Sequence, residues 1–338
     1  MRRILVWMSF LVVVLVAVSV ETVWAQGGTS EGFPPQTFLF NDTLLLARAL
    51  PFVVALAIGF GIWQGKVGLR QPKSSPNSRS VIRHDFGTVI AHWTNGIGFI
   101  IALITGLMVL RWLPRPDEMR IVFALHYVGV VLIMFGVVAH LTQNAITGGM
   151  GLVPRSLKDV GEGLSEIVEY SGIFGSHRAA LGIKLPKAIR QTFAETATAF
   201  GIKPTKKLGK FLPVERVFSY TPWAIIVAVV VITGLIKSLR YLYPIPASII
   251  APVTTVHDIF SYVAVGMLAI HLAALLLVPA NWPLLISMFT TRVSRKHVQE
   301  HHPLWYKDLV AKEQAIVDDV TPVSTTQGTP QRIEETQA

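Results

Sequence analysis

The stretch HDIFSYVAVGMLAIH (residues 257–271) begins and ends with histidine and is otherwise almost entirely apolar. A helix rises ~21 Å over this spacing and completes just under four turns. Both imidazoles therefore lie on one helix face, near opposite sides of a hydrocarbon layer ~30 Å thick. The stretch HYVGVVLIMFGVVAH (126–140) repeats the same spacing. Because a polar side chain at membrane depth is costly, these histidines indicate a functional site.

Composition places the chain in a membrane. Of its 338 residues, 51% are hydrophobic and only 15% are charged, whereas about a quarter are charged in ordinary soluble domains. The chain has no cysteine, which excludes disulfides, thiolate metal sites, iron–sulfur clusters and covalently attached c-type haem. The net charge of +10 is explained by loops that set membrane orientation, so nucleic acid is not an expected partner.

The hydropathy pattern predicts an all-α fold, a polytopic membrane helical bundle in a lipid bilayer. Residues 1–25 have a basic start and an apolar run typical of a signal peptide, although the run is long enough for an uncleaved anchor helix. Residues 26–85 are predicted to form an exported linker, an extra N-terminal transmembrane helix and a cytoplasmic loop. The five predicted spans are 43–64, 86–110, 121–145, 219–239 and 254–280.

Basic residues in the loops predict the orientation. The 65–85 loop contains five Lys or Arg and the long 146–218 loop contains eleven. By the positive-inside rule both loops are cytoplasmic, and so is the tail 281–338. The tail is polar from about residue 313 and is predicted to be disordered from there. We therefore expect a multi-pass protein of the cytoplasmic (inner) membrane with a cytoplasmic C-terminus.

The sequence contains an internal repeat. ALITGLMVLRW (102–112) and VVITGLIKSLR (230–240) each precede a helix with the paired histidines. The bundle is therefore predicted to consist of two related helix pairs. The halves differ at one position: fourteen residues before the glycine of the repeat, the first half has His92 and the second has Tyr220.

Five histidines within the predicted spans sort into two layers, an outer pair (His126 and His257) and an inner trio (His92, His140 and His271). Facing imidazoles at two depths of a helical bundle are typical of two b haems with histidine on both sides of each iron. The outer ligands would be His126 and His257. The inner haem would use His271 with either His92 or His140, because spacing places both at the right depth. A haem-free transporter or anchor is the alternative class.

Two further groups of residues have two interpretations each. Gly129, Gly136 and Gly266 would let a flat macrocycle approach the backbone, or would serve helix packing. Arg79 and Arg83 precede the His92 helix and would either bind the inner haem's propionates or only set topology.

Several stretches resemble the γ (cytochrome b) subunits of membrane-bound formate dehydrogenases. AHWTNGIGFIIALITGL (91–107) is similar to their first histidine helix, and FALHYVG (123–129) is similar to the second. RVSRKHVQEHHPLWYKDL (292–309) is similar to their cytoplasmic tail, which is basic and ends in HHPxWY. The resemblance covers roughly residues 80–312.

This resemblance implies a four-helix dihaem cytochrome b core within residues 86–280, interrupted by the 146–218 loop. It implies two partners, an iron–sulfur subunit and a molybdopterin (Mo or W) catalytic subunit, and electron transfer through two haem b groups to a membrane quinone, menaquinone or ubiquinone. The chain would then be an electron-transfer subunit and no enzyme on its own. The implied axial ligands are His126 and His257 for the outer haem, and His92 and His271 for the inner haem. His140 is left to bond a propionate or a quinone.

One stretch departs from the family. KFLPVER (210–216) stands where the γ subunits have a KYNAGQK-like sequence that helps to bind quinone, and Leu212 and Val214 replace the asparagine and glycine. Two alternative functions therefore stay open. One is the cytochrome b subunit of a hydrogenase, a thiosulfate or polysulfide reductase, or another molybdoenzyme. The other is a bc-type quinol-oxidising cytochrome b, which would use His140.

Overall fold

The computed structural model describes residues 37–70, 78–148, 156–174, 179–203 and 208–320. The predicted signal segment 1–25 and most of the linker after it lie outside these residues. Five of the described helices are long and apolar enough to cross a membrane, the number that the sequence predicts.

The spanning helices are α1 (Thr37–Arg70), α2 (Phe86–Val109), α3 (Met119–Thr147), α6 (Thr221–Leu239) and α7 (Ala247–Leu276). A π-helical turn, Glu215–Tyr220, leads into α6. Between α3 and α6 lie the shorter helices α4 (Leu157–Tyr170) and α5 (Lys187–Ala199). After α7 come α8 (Trp282–Thr290), α9 (Arg295–His301) and α10 (Pro303–Val320). The strands are β1 (Ser80–Ile82) and β2 (Arg292–Ser294).

Helices α2 and α3 approach closely because glycine lines their contact. A Cβ at Gly129 would lie 2.7 Å from the carbonyl oxygen of Gly98, and a Cβ at Gly136 would lie 2.8 Å from that of Ala91. Any larger side chain would push the two backbones apart. Gly129 and Gly136 therefore serve helix packing, the second of the two predicted roles. Gly266 differs, since no described atom lies within 4 Å of its Cβ position.

A buried apolar cluster joins four of the spanning helices. Its members, from α2, α3, α6 and α7, are Phe99, Ile133, Ile226, Val227, Ala264 and Met267. Helix α1 packs mainly along α3, where Leu46, Leu50 and Val54 form a separate cluster with Met134. Helix α1 therefore packs on α3 through an apolar cluster of its own, separate from the cluster that joins the other four helices.

A small antiparallel sheet joins the segment before α2 to the segment after α8. Val81 of β1 pairs with Val293 of β2, and both are buried with Val298 and Trp305. The all-α prediction missed these strands. Each strand has only three residues, of which one valine is buried. So short a run does not show the alternation of apolar and polar residues that identifies a strand.

The tail remains helical beyond the predicted start of disorder at residue 313, because α10 continues to Val320. The guanidinium of Arg295 donates to both carboxylate oxygens of Glu313, at 3.1 and 2.6 Å. Glu313 is buried, and a two-pronged bond of this kind fixes a helix more firmly than a surface charge pair. The tail is polar overall, so its sequence does not indicate that Arg295 and Glu313 form a buried ion pair.

The long loop between α3 and α6 is fastened to the entrance of α6. Glu166 of α4 accepts a hydrogen bond from the backbone N–H of Val214 at 3.0 Å, and Asp159 lies 3.5 Å from Arg216. Both α4 residues are buried. Helix α4 therefore belongs to the folded body, and its acidic side chains hold the residues that lead into the π-helical turn.

Two glycines on α2 make a matched test of the close helix contact. Gly98→Ala should lower the unfolding temperature in detergent, because the new Cβ would lie 2.7 Å from the backbone oxygen of Gly129 and overpacking costs about 1–3 kcal/mol. Gly96→Ala should be neutral or stabilising, since no described atom lies within 4 Å of its Cβ position. Equal unfolding temperatures for the two variants would contradict the tight α2–α3 contact.

Candidate haem-binding site

The inner layer contains a facing pair of histidine rings. The rings of His92 on α2 and His271 on α7 have centroids 6.5 Å apart and planes inclined by 48°. Two metal–nitrogen bonds of about 2 Å, together with the radii of two imidazole rings, add up to about 6 Å between centroids. The observed separation therefore leaves room for one metal ion between two axial nitrogens, the arrangement that haem iron requires.

The neighbour of His92 anchors this end of α2. The indole N–H of Trp93 donates to the carbonyl oxygen of Met288 on α8 at 2.8 Å. Its ring also packs against Phe289, with 4.8 Å between centroids. In the HW dipeptide, His92 therefore belongs to the inner pair, and Trp93 joins α2 to α8, the helix after the last span.

In the outer layer, threonine sets the tautomer of His126. The hydroxyl of Thr105 on α2 donates its one proton to the carbonyl of Ile101 at 2.7 Å, and its oxygen lies 2.9 Å from Nδ1 of His126. With its proton already used, the oxygen accepts from the Nδ1–H of His126. The Nε2 lone pair of His126 is then available to a metal, and the ring is held in one orientation.

The second helix pair repeats this contact. Thr233 on α6 donates to the carbonyl of Val229 at 2.5 Å and lies 3.0 Å from Nδ1 of His257. The adjacent glycine makes room for the ring, since a Cβ at Gly234 would lie only 3.1 Å from Cε1 of His257. The Thr-Gly pair of the internal repeat thus supports the outer histidine of the next helix in each half. Sequence reasoning identified the repeat but not this role.

His140 does not join the pair in the inner layer. Its Nε2 lies 2.8 Å from the side-chain amide of Asn144, one turn later on α3. Its ring faces Tyr220, with 6.2 Å between centroids. Tyr220 occupies the position that corresponds to His92 in the internal repeat. The inner layer therefore contains two related ring pairs, one of two histidines and one of a histidine and a tyrosine.

Arg83, which the sequence predicted to bind the cofactor, lies in a buried ion pair. Its guanidinium lies 3.1 Å from Glu215 and donates to the backbone oxygen of Lys210 and to Nε2 of His84, at 2.9 and 3.2 Å. Burial lowers the pKa of Arg83, and the charge of Glu215 partly offsets this effect. Arg83 thus lies near the start of α6, where its guanidinium N–H groups donate to His84, Lys210 and Glu215.

A second cation is buried beside this pair. Burial and, to a smaller extent, the nearby charge of Arg83 lower the pKa of Lys210 to about 8. The ammonium lies 5.4 and 5.9 Å from the ring centres of Phe211 and Trp305, and no hydrogen bond from it is found among the described residues. Such a charge suits an anionic partner, and a haem carries two propionate carboxylates.

The paired histidines of the tail have a packing role. His302 is buried, and its Nδ1 lies 2.7 Å from the backbone oxygen of Gly209. The ring of His301 stacks on that of His297, with 4.3 Å between centroids. Trp305 is buried in the cluster around the small sheet. The HHPxWY sequence therefore joins the tail to Gly209, shortly before α6, and to the cluster around the small sheet.

Spanning helices that carry a facing pair of histidine rings, and two further histidines whose Nδ1 atoms each lie against a threonine, are the architecture of a membrane cytochrome b, an electron-transfer protein that binds haem b. Among the described residues, no group of three or more His, Cys, Asp or Glu could hold a metal ion. The chain belongs to the prokaryotic cytochrome b561 family, whose model matches residues 83–291. No curated protein sequence matches it.

The match sets bounds on what is shared with the family. It begins at Arg83 and ends just after α8, so it includes all five intramembrane histidines and both Thr-Gly pairs. Helix α1, β2 and the tail helices α9 and α10 lie outside it. The family establishes a multi-pass membrane cytochrome b with an electron-transfer role.

Removing the threonine contacts should weaken haem retention. Thr105→Val or Thr233→Val removes the side-chain acceptor beside the Nδ1–H of an outer histidine and leaves only a helix carbonyl, that of Ala102 for His126 and that of Val230 for His257. Loss of an outer-shell partner typically lowers metal affinity 10–100-fold. Haem loss to an excess of apomyoglobin, followed by absorbance, measures the effect. Thr255→Val is the control, since Thr255 on α7 is exposed and bonds only the carbonyl of Ala251. Haem loss equal to that of the control would exclude the role.

Proposed function

We propose that this protein is the membrane subunit that passes electrons through two b haems between an iron–sulfur partner and the quinone pool. The observation that carries this proposal is the arrangement of four histidines in two sets on the spanning helices. His92 and His271 face each other with centroids 6.5 Å apart, while His126 and His257 each have Nδ1 against a threonine oxygen. Each bound haem would supply reversible one-electron chemistry, and the chain supplies ligands, spacing and a low dielectric.

The axial ligands we propose are His126 and His257 for the outer haem and His92 and His271 for the inner haem. Choosing His92 over His140 rests on two contacts. His92 faces His271 directly, whereas Nε2 of His140 is already within hydrogen-bond distance of Asn144. A bc-type cytochrome, which would use His140, is therefore the weaker alternative.

Arg83 and Lys210 are the residues we propose for the inner propionates. Lys210 is the better donor, because the guanidinium of Arg83 already bonds Glu215, while no hydrogen bond from the Lys210 ammonium is found among the described residues. Both lie just outside the spanning segments, which is where carboxylates reach water and cations.

Two contacts support a shared cytoplasmic side for the three basic segments. Strands β1 and β2 pair the end of the 65–85 loop with the tail. The backbone N–H of Leu304 donates to Leu208 at 3.0 Å, which joins the tail to the 146–218 loop. All three segments thus lie on one membrane side, and their many Lys and Arg indicate the cytoplasmic face.

The resemblance to formate dehydrogenase γ subunits supports a complex with an iron–sulfur subunit and a molybdopterin (Mo or W) catalytic subunit. The HHPxWY tail carries this likeness most strongly, since it covers consecutive residues outside the histidine helices. The second candidate is the cytochrome b subunit of a hydrogenase, or of a molybdoenzyme other than formate dehydrogenase. The broader family match favours this candidate. The genes next to this one would distinguish these partners.

Haem content tests the ligand assignment directly. His92→Ala and His271→Ala should each reduce two haems per chain to one, because one axial ligand of the inner haem is lost. His140→Ala should retain both. A pyridine haemochrome assay against protein concentration measures the ratio in the purified chain. Loss of a haem in His140→Ala with retention in His92→Ala would favour the bc-type alternative, and absence of a Soret band in the wild type would favour the transporter or anchor.

The quinone site is proposed beside His140 and Tyr220. In the KFLPVER stretch the backbone groups are already used: the N–H of Leu212 donates to Glu215 and that of Val214 donates to Glu166. His140 and Tyr220 lie in the same layer as the inner pair, and a phenol O–H and an imidazole are both suited to bind quinone carbonyls.

Tyr220→Phe tests this location. It removes one hydrogen-bond donor without changing the ring, so we expect haem reduction by a quinol analogue to slow by roughly tenfold, as for a lost hydrogen bond of about 1.4 kcal/mol. Both haems should remain. Stopped-flow absorbance measures the rate, and Tyr262→Phe on the exposed surface of α7 is the control. Equal rates in the two variants would place the quinone elsewhere.

A further inference from the structure

Helix α5 has an apolar face that is largely exposed in the described structure. Ile189, Phe193 and Phe200 recur at the spacing of one helix face, and their side chains are 47%, 55% and 81% exposed. The opposite face carries Lys187 and Gln191. Soluble proteins rarely leave such a stripe in water, so it marks a surface that meets another apolar phase.

The charge around this helix is strongly positive. Residues 183–203 contain four basic side chains and a single acidic one, Glu195; the basic ones are Lys184, Lys187, Arg190 and Lys203. A helix with large apolar residues on one face and Lys or Arg around the other is typical of segments that lie in the surface of an anionic membrane.

The residues before α5 begin at the membrane edge. The backbone N–H of Leu181 donates to the carbonyl of Leu277 at 2.5 Å, and Leu277 directly follows the last residue of the span Ala247–Leu276. Leu181 and Leu277 are both exposed, at 66% and 45%. The segment that leads into α5 is therefore hydrogen-bonded to the end of α7, beside the exposed apolar surface of that helix.

The length of α5 determines how it can meet the bilayer. Its 13 residues span about 20 Å, which is too short to cross the hydrocarbon layer. The helix ends at Ala199 and is soon followed by Gly201, whose φ of +79° lies in the left-handed region. A short helix that follows a segment held at the membrane edge and has one apolar face is suited to lie along the membrane surface.

We propose that α5 is an interfacial helix that binds the anionic lipid surface next to the end of α7. Ile189, Phe193 and Phe200 insert among the upper acyl chains, and Lys187 and Arg190 contact phosphate groups at the level of the head groups. The helix thereby anchors the 146–218 loop on the membrane, independently of the haem ligands and of any partner subunit.

The absence of cysteine in the natural chain permits single spin labels at chosen positions. Nitroxides at Ile189→Cys and Phe193→Cys should collide with dissolved oxygen more than with a water-soluble nickel chelate, in full-length protein reconstituted in phosphatidylcholine–phosphatidylglycerol vesicles. Labels at Gln191→Cys and Thr198→Cys, on the polar face of the same helix, should show the reverse. Electron paramagnetic resonance power saturation measures both collision rates.

Two results would overturn the proposal. Equal nickel access at all four positions would mean that α5 stays in water. Nickel access at 189 and 193 that disappears only when partner subunits are bound would mean that the face is a protein interface. Vesicles of phosphatidylcholine alone, and the Lys187→Gln/Arg190→Gln variant, test the charge contribution. In both experiments the ratio of membrane-bound to water-exposed α5 should fall. The expected fall is roughly fivefold for each basic side chain that no longer contacts an anionic head group.

Discussion

The arrangement of this protein depends on how an imidazole is kept inside hydrocarbon. A neutral ring has one N–H and one lone pair, and each costs free energy in the membrane unless it has a partner. Threonine supplies the partner for the N–H of the outer histidines, while its own proton goes to the helix carbonyl one turn back. The remaining lone pair, on Nε2, would be satisfied by the iron of a bound haem.

The two helix pairs use this contact twice and then diverge in the inner layer. In one half, α2 contributes His92 opposite His271, and in the other, the π-helical turn before α6 contributes Tyr220 opposite His140. The related positions thus hold one pair of two imidazoles and one mixed pair that combines a phenol with an imidazole. A difference at a single position of the internal repeat therefore gives two unlike ring pairs.

The sequence predicted the features that involve neighbours on the same helix. A histidine in an apolar run and its repeat one span later are visible without knowledge of the fold, and so is the number of spans. Contacts between distant segments were not predictable: Arg83 and Glu215 are far apart in the chain, and nothing in either local sequence indicates the other. The choice between His92 and His140 also needed the facing side chain, because their depth is the same. The polar tail concealed the Arg295–Glu313 contact for the same reason.

The backbone N–H of Arg83 donates to the carbonyl of Thr291 at 2.9 Å, and these are the first and last residues of the region that matches the family. The beginning and the end of the inherited unit therefore sit side by side, as the termini of independently evolving modules often do. A chain closed on itself in this way can accept new segments at its seam without disturbing the interior. In this chain the extra membrane helix α1 precedes the seam and the tail helices α9 and α10 follow it, so the segments outside the family match are attached at this one seam of the bundle that holds the histidines.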